Sequence, residues 1–368
     1  MTDLAALSRH PDLLRRVGIT LAALAVYRLG LLLPLPGIDV NALAIQTGGS
    51  AAALSRLSVM ALGVMPLLSA LIIAEAAMIA WPSLRAWADT PPGAGRFRHA
   101  VVAGALLLAA LQASGIALAL EGVAGGVPQP GLVFRGGVMV SLVGATAVVV
   151  WLASWITRAG IGNGFWVLLA MTHIDALTSD MLGQIPLLAQ GVVSGSVVLA
   201  TLAVWLGSIA LATAVLAALV KATPRLSDPH ELVWAPLLGS ALASWLLGGL
   251  ALVQWLLPPS GLPDLATVLL THFLAPLLFL AIAAVVLLRR RSLGTPGLPF
   301  DAVAAAPVIV AVGGLVAAAS ILPAIADGWG YMMPRPTGAV ALAAIGLMIF
   351  ETLRHAQGRS AAADPPSP

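Results

Sequence analysis

The sequence predicts an all-α membrane protein that crosses the bilayer about ten times. The chain is 60% hydrophobic and only 9% charged, a balance far outside that of water-soluble globular proteins. Its mean hydropathy of +1.01 comes from long apolar runs that are separated by short stretches containing arginine. One apolar region, residues 48–81, is broken by Gly63 and Pro66 and packs two segments into about the length of one crossing.

Ten apolar runs account for these crossings. By hydropathy they lie near residues 17–35, 63–81, 99–120, 137–157, 164–178, 195–220, 232–257, 267–288, 302–325 and 337–353. The stretch before the first run is polar, and that run ends at Pro34 without a small-residue cleavage site. The first run is therefore expected to be a retained span and not a cleaved signal peptide.

The positions of the basic residues predict that both termini are cytoplasmic. This orientation assigns fourteen of the 18 basic residues to the inside, as the positive-inside rule requires. They are Arg9, Arg15, Arg16, Arg85, Arg96, Arg98, Arg158, Lys221, Arg225, Arg289, Arg290, Arg291, Arg354 and Arg359. Among the acidic residues, Asp175 is assigned to the outer end of the run 164–178.

Two halves of five spans each must have opposite orientations in the membrane. This is the arrangement of an inverted-topology repeat, in which a pathway is expected between the halves. We place the N-terminal half at 1–180 and the C-terminal half at 181–358, with the boundary in a loop around 178–190. Residues 359–368 are expected to form a disordered tail because they are small, polar and rich in proline.

The first segment of the broken region predicts a pathway through the protein. As a helix, residues 51–62 would reach only about 18 Å, against roughly 30 Å of hydrocarbon. A half-helix at membrane depth is tolerated only where protein buries its ends or water reaches them. The segment is therefore predicted to be a re-entrant half-helix beside a conduit.

Catalytic chemistry is not expected from the residues present. The chain has no cysteine, no HExxH sequence and no Walker A sequence, so no enzyme activity, metal or cofactor is predicted. The dispersed arginines and the single lysine form no patch for nucleic acid. Glu75, inside a span, either bonds a neighbouring helix or a bound subunit, or it lines the pathway. Arg28 is expected to be structural, either snorkelling or paired.

A glycine-rich turn separates two of the apolar runs. In the sequence from Gly160 to Gly164, Gly160 is predicted to take the left-handed conformation that ends one helix. Asn163 is predicted to cap the next helix. As a generic pattern, this is a tight turn on the cytoplasmic side.

Four motifs, read in order, resemble the SecY family of protein translocase channels. They are Tyr27-Arg28-Leu29-Gly30 before Leu35-Pro36-Gly37-Ile38-Asp39; Gly48-Gly49 before Ala53-Leu54-Ser55-Arg56-Leu57-Ser58; Ala61-Leu62-Gly63-Val64-Met65-Pro66 with Ser69-Ala70; and Ile156-Thr157-Arg158-Ala159-Gly160-Ile161-Gly162-Asn163-Gly164. The resemblance is strong over residues 12–175 and weak beyond them. It implies a clamshell of two five-helix halves around an hourglass pore.

The resemblance also implies roles for individual residues. The plug would comprise Ser55, Arg56, Leu57, Ser58, Val59, Met60, Ala61 and Leu62. The apolar pore ring would comprise Val64, Leu68 and Leu169, with Leu242 and Leu342 added from less well matched regions, where ordinary helix packing is the alternative. Ser69 and Glu75 would lie on a lateral gate that opens towards lipid.

In function, the resemblance implies a protein-conducting channel of the bacterial inner membrane that works with a SecE-like small membrane subunit. The connections that dock a ribosome or the SecA motor in the family are short here, about 221–231 and 289–300, so a divergent paralogue with restricted clients or motor is expected. A secondary transporter of small solutes is one alternative, since it also uses broken helices. A non-conducting insertase or scaffold derived from SecY is the other.

Overall fold

The structure is a computed structural model that describes residues 11–46 and 57–222, together with Leu342 and Gly346. Within these ranges the chain forms eight helices, and the backbone pairing between extended segments is confined to one isolated bridge. The helices are α1 (Pro11–Leu32), α2 (Val40–Gln46), α3 (Met65–Ala80), α4 (Pro82–Ala88), α5 (Pro91–Glu121), α6 (Leu132–Ala159), α7 (Gly164–Ala189) and α8 (Gly195–Ala222).

The long helices coincide with the first six predicted spans, and the expected helical membrane fold is confirmed. In the described ranges, α5 and α6 are by themselves long and apolar enough to cross a bilayer. Residues 65–78 and 82–88 form a pair bent by 116° that would add a third span if it is counted as one. The last four predicted spans lie outside the described residues, apart from Leu342 and Gly346.

The described residues divide into two compact units. One unit contains the described residues up to Ala74 and those from Ala86 to Ile185, and the other contains Glu75–Arg85 and the described residues after Ile185. The predicted boundary loop around 178–190 is wrong over most of its length, because α7 continues as a helix to Ala189. The assignment of whole halves at 1–180 and 181–358 stays a prediction.

The core of the first unit is the packing of α5 along α6. Four alanines of α5, spaced four residues apart, are completely buried: Ala105, Ala109, Ala113 and Ala117. Their small side chains let α6 approach closely with a stripe of larger ones, which includes Val138, Leu142 and Val149. At one end of this hairpin, the Glu121 carboxylate accepts hydrogen bonds from the Arg135 Nη2 (2.6 Å) and from the Gly131 N–H (2.8 Å).

Enlarging this alanine stripe is expected to destabilise the fold. Replacement of Ala109 by leucine should lower the free energy of unfolding by about 1–3 kcal/mol, because α6 leaves no volume for the added atoms. The same replacement at Ala103, which is exposed on α5, is the matched control and should change it by less than about 0.5 kcal/mol. Thermal unfolding in detergent measures both, and equal effects at the two positions would contradict this packing.

The exit from α1 and the turn between α6 and α7 mark opposite ends of the unit. After α1, the Asp39 carboxylate accepts hydrogen bonds from the N–H groups of Asn41 (2.9 Å) and Ala42 (3.0 Å) and so caps α2. At the other end, the Thr20 hydroxyl accepts a hydrogen bond from the Ile161 N–H at 2.9 Å. This bond ties α1 to the turn that precedes α7.

In that turn, Gly162 has φ of +69°, whereas Gly160 is extended, with φ of −100° and ψ of −153°. The prediction of a left-handed Gly160 is therefore wrong. Gly160 is needed for space, since an added Cβ would lie 2.6 Å from the Thr20 Oγ1. The predicted cap is confirmed, because the Asn163 Oδ1 accepts a hydrogen bond from the Phe165 N–H at 3.0 Å.

Candidate functional site

The candidate site starts with the described part of the predicted plug, residues 57–62, which lies shortly before α3 and is called the plug segment below. This segment forms consecutive turns, so the prediction of a helix is wrong over residues 57–62. The reason is pairing with the chain that leaves α1. The Leu35 N–H donates to the Leu57 carbonyl and the Val59 N–H to the Leu33 carbonyl, both at 2.9 Å.

These two bonds flank an antiparallel bridge between Pro34 and Ser58. They take a carbonyl and an N–H that a helix would have used for its own hydrogen bonds. Ser58 is buried, with 1% exposure, and Met60 is also buried. Ser55 and Arg56 lie outside the described residues.

Apolar side chains hold the plug segment against one end of the first unit. Leu57, Val59, Ala61 and Leu62 are half-buried and pack against a cluster of buried residues. The cluster contains Leu35, Ala113, Ala117, Leu120, Phe134, Val138 and Leu142. Its members follow α1, end α5 and begin α6, so the segment lies at the end of the unit opposite the α6–α7 turn.

A glycine in α1 makes room for the plug segment. A Cβ added at Gly30 would lie 2.5 Å from the Met60 Sδ, so only glycine lets the methionine approach the helix this closely. Gly30 is the last residue of the motif Tyr27-Arg28-Leu29-Gly30. The structure gives this glycine a physical role, which is to leave space for Met60. The plug segment thus contacts α1, α5 and α6 through backbone bonds and apolar packing together.

The predicted ring residues of the first unit are all buried. Val64 is 0% exposed, Leu68 is 7% exposed and Leu169 is 1% exposed. Val64 and Leu68 share a helix face, since the Leu68 N–H donates to the Val64 carbonyl at 2.9 Å. Leu169 lies on α7.

Gly63 brings the start of α3 close to α7. A Cβ added at Gly63 would lie 3.8 Å from the Thr172 Cγ2, and Thr172 follows Leu169 by one turn of α7. The Thr172 hydroxyl donates to the Leu169 carbonyl at 2.7 Å. Val64 and Leu169 are therefore each within one turn of this contact.

The other predicted site residues are described less fully. Leu242 lies outside the described residues, and Leu342 is helical and half-buried. Ser69 and Glu75 are half-buried on α3. Among the described residues, no three His, Asp or Glu side chains are grouped so that they could hold a metal ion.

A family model for SecY matches residues 58–229, which begin in the plug segment and include all of α3 to α8. The chain is therefore similar to the SecY family over just under half of its length. The match covers Val64, Leu68 and Leu169 but excludes Leu242 and Leu342. It also includes Ser69 and Glu75.

Two SecY relatives show how far the sequence similarity extends. The protein translocase subunit SecY of Buchnera aphidicola subsp. Baizongia pistaciae is 30% identical over 203 residues, 50% of this chain and 45% of that protein. The Escherichia coli K12 subunit is 37% identical over 174 residues, 43% of this chain and 39% of that protein. The chain thus spans less than half of the length of these SecY relatives.

Solved structures share the fold along nearly the whole chain. Canine Sec61 in its ribosome-channel complex from the endoplasmic reticulum matches with a TM-score of 0.58 at 14% identity, covering 96% of this chain and 95% of Sec61. A SecY protein whose plug domain stabilises the closed state of its translocation channel matches with a TM-score of 0.60 at 14% identity, with the same coverage. The polytopic helical fold is therefore that of SecY and Sec61.

The ion pair between Arg28 and Asp175, near the ring, was predicted only in part from the sequence. Asp175 was assigned to the outer end of a span, but it lies inside α7 and forms an ion pair with Arg28 of α1, with 2.6 Å between the Nη1 and Oδ1 atoms. The alternative that Arg28 is paired is therefore correct. A signal was available, because an arginine and an aspartate within two apolar runs of a membrane protein are expected to pair.

Proposed function

We propose that this chain is the channel subunit of a translocase that moves polypeptides across the bacterial inner membrane and inserts them into it. The match to the SecY family model supports this, as do similar proteins that carry the name of protein translocase subunit. The observation that carries it is that residues 57–62 pack against the apolar cluster at one end of the first unit, shortly before the buried Val64. In this proposal both termini face the cytoplasm.

The proposed mechanism uses an apolar constriction. Val64, Leu68 and Leu169 supply side chains that dewet a narrow passage and so block ions, yet can move aside for a polypeptide. Leu242 and Leu342 are proposed as further ring members. Opening would require release of the plug segment.

The contacts of the plug segment suit a reversible closure. Its two backbone hydrogen bonds contribute about 1 kcal/mol each, and its apolar side chains are only half-buried. A polypeptide that enters can offset losses of this size with its own contacts. Ser55 and Arg56 are included in the proposed plug by their place in the motif.

A lateral exit towards lipid is proposed along α3. Ser69 and Glu75 of this helix are assigned to the gate, through which apolar segments of a client would leave for the bilayer. Sorting would follow the transfer free energy of each segment, which favours lipid for leucine-rich and isoleucine-rich stretches. Glu75 would make this gate more polar than an apolar helix face.

Partners are proposed from the family. A SecE-like small membrane subunit would brace the channel, and a translocating polypeptide would be its client. A ribosome is a candidate motor because Sec61 is found in a ribosome-channel complex. SecA is the other candidate, and the short connections near 221–231 and 289–300 suit a restricted set of motors or clients.

Crosslinking to a stalled client tests the proposal directly. The natural chain has no cysteine, so Val64→Cys and Leu169→Cys each give a single reactive thiol. Both are expected to crosslink to a polypeptide arrested during translocation. Leu107→Cys is the control, since Leu107 is 63% exposed on α5 and should face lipid. Crosslinks at Leu107 alone would contradict a conduit lined by Val64 and Leu169.

A non-conducting insertase or scaffold is the second candidate, because Val64 and Leu169 are as buried as ordinary core residues. Deletion of residues 53–61 separates the two functions. A channel that loses its plug should leak ions in a reconstituted bilayer, whereas a scaffold should stay tight. An unchanged conductance after this deletion would favour the scaffold.

A further inference from the structure

The ion pair between Arg28 and Asp175 joins two helices within their apolar stretches. The Arg28 side chain is 49% exposed and the Asp175 side chain is 16% exposed, so the aspartate is the more deeply enclosed partner. Charged groups inside a membrane are costly, and each partner here lowers the cost of the other. Neither Arg28 nor Asp175 belongs to the predicted ring or to the plug segment. The ion pair therefore needs an explanation of its own.

Two tie points show that α1 and α7 run side by side in the same direction. At the first, the Thr20 hydroxyl accepts from the Ile161 N–H, just before α7 begins. The second is the ion pair, which lies about 12 Å further along α1 and about 16 Å after the start of α7. We call the region between these two points the α1–α7 seam.

The seam encloses the residue that precedes the ring. A Cβ added at Gly63 would lie 2.8 Å from the Tyr27 Oη of α1 and 3.8 Å from the Thr172 Cγ2 of α7. Tyr27 is adjacent to Arg28 in the chain, and Asp175 is one helical turn beyond Thr172. The ion pair therefore lies directly next to the place where α1 and α7 hold the start of α3.

We propose that Arg28 and Asp175 form a latch, a pair of positioning residues that keeps the α1–α7 seam closed around Gly63 and so holds Val64 and Leu169 buried. The proposal deepens the proposed channel function, on which its biological meaning rests. Its structural content is independent of transport. Loss of one charge should loosen the seam locally without unfolding the α5–α6 hairpin.

The effect of each substitution follows from the charge that it leaves behind. Asp175→Asn leaves the Arg28 guanidinium uncompensated, and a cation without its partner draws water or lipid headgroups into the seam. Exchanging the two residues, Arg28→Asp with Asp175→Arg, restores opposite charges at the same two positions. The exchange should therefore recover most of what the single change loses.

Thiol labelling of Val64→Cys with a water-soluble maleimide measures the latch. Asp175→Asn is expected to speed labelling roughly tenfold, equivalent to about 1.4 kcal/mol less opening free energy, and the charge exchange should return it towards the parent rate. Val149→Cys, buried on α6 with 1% exposure, reports general loosening and should label slowly in every variant. Glu121→Gln breaks the ion pair within the α5–α6 hairpin and should leave Val64 labelling unchanged.

Several results would overturn the latch. Equal labelling of Val64→Cys with and without the Asp175→Asn change would do so, as would parallel increases at Val64→Cys and Val149→Cys. If Asp175→Asn does not accumulate, Arg28→Lys keeps the charge but loses the planar guanidinium, and it should speed labelling roughly threefold. Labelling at the parent rate in Arg28→Lys then contradicts the latch.

Failure of the latch and failure of the channel are distinguishable. Labelling without a client reports only packing at Val64, whereas crosslinking to a stalled client reports the conduit. Normal crosslinking with unchanged labelling in Asp175→Asn would retain the channel and reject the latch. Faster labelling without crosslinking would retain the latch and reject the channel.

Discussion

Replacement of Gly164 by alanine is expected to cost the protein about 3 kcal/mol of folding free energy or more. A Cβ added at Gly164 would collide with the carbonyl oxygen of Ala153, a backbone atom of α6 that cannot turn away as a flexible side chain can. The Gly164 N–H also donates to the Thr157 hydroxyl at 2.8 Å, which holds the two helices at this separation. The substitution must therefore push α7 away from α6.

Thermal unfolding in detergent, together with the yield of monodisperse protein, measures this loss. Gly144→Ala is the matched control, because an added Cβ on this exposed glycine of α6 meets nothing within 4 Å. Alanine favours helix over glycine by about 1 kcal/mol, so the control should be neutral or slightly stabilising. Equal stability of the two variants would mean that α6 and α7 are not packed as tightly as the structure has them.

The long helices were predictable because hydropathy is a local property of the sequence. The runs 99–120 and 137–157 fall inside α5 and α6, which begin several residues before the runs and end only one or two residues after them. α5 starts before the apolar run, at Pro91, because proline is well suited to the first turn of a helix although it adds little to a hydropathy pattern. Thr90 caps this turn by accepting from the Gly93 N–H at 3.2 Å.

The plug segment could not be predicted in full because its conformation depends on residues far away in the chain. Its apolar composition suits a helix, but Leu57 and Val59 bond to the backbone of Leu33 and Leu35, more than 20 residues earlier. No local pattern reports such a pairing. The assignment of this segment as a plug stays a prediction, and the structure supplies the conformation of residues 57–62.

The polar part of the site was underestimated for a related reason. The predicted span ends near residue 178, yet α7 continues to Ala189. Ending the span there moved Asp175 to its edge and hid the partner of Arg28. A charged residue lowers the hydropathy of its helix even where an ion pair lets the helix lie within the membrane.

Gly63→Ala is expected to destabilise the start of α3 by about 2–4 kcal/mol for two separable reasons. Gly63 has φ of +50°, where a side chain costs about 1 kcal/mol in backbone strain. In addition, the new Cβ would lie 2.8 Å from the Tyr27 Oη, closer than van der Waals contact allows. Because Val64 follows immediately, the variant should also leak ions if the ring seals a channel.

A double-mutant cycle with Tyr27→Phe separates the two reasons. Phenylalanine lacks the hydroxyl that the new Cβ would meet, so the double variant should recover roughly 1 kcal/mol relative to the sum of the single changes. The remaining loss would be the backbone strain at Gly63, which no change at Tyr27 can relieve. Additive effects of the two substitutions in thermal unfolding would instead assign the whole cost to the backbone. In that case, the close approach of Tyr27 to Gly63 would not explain why the residue directly before Val64 is a glycine.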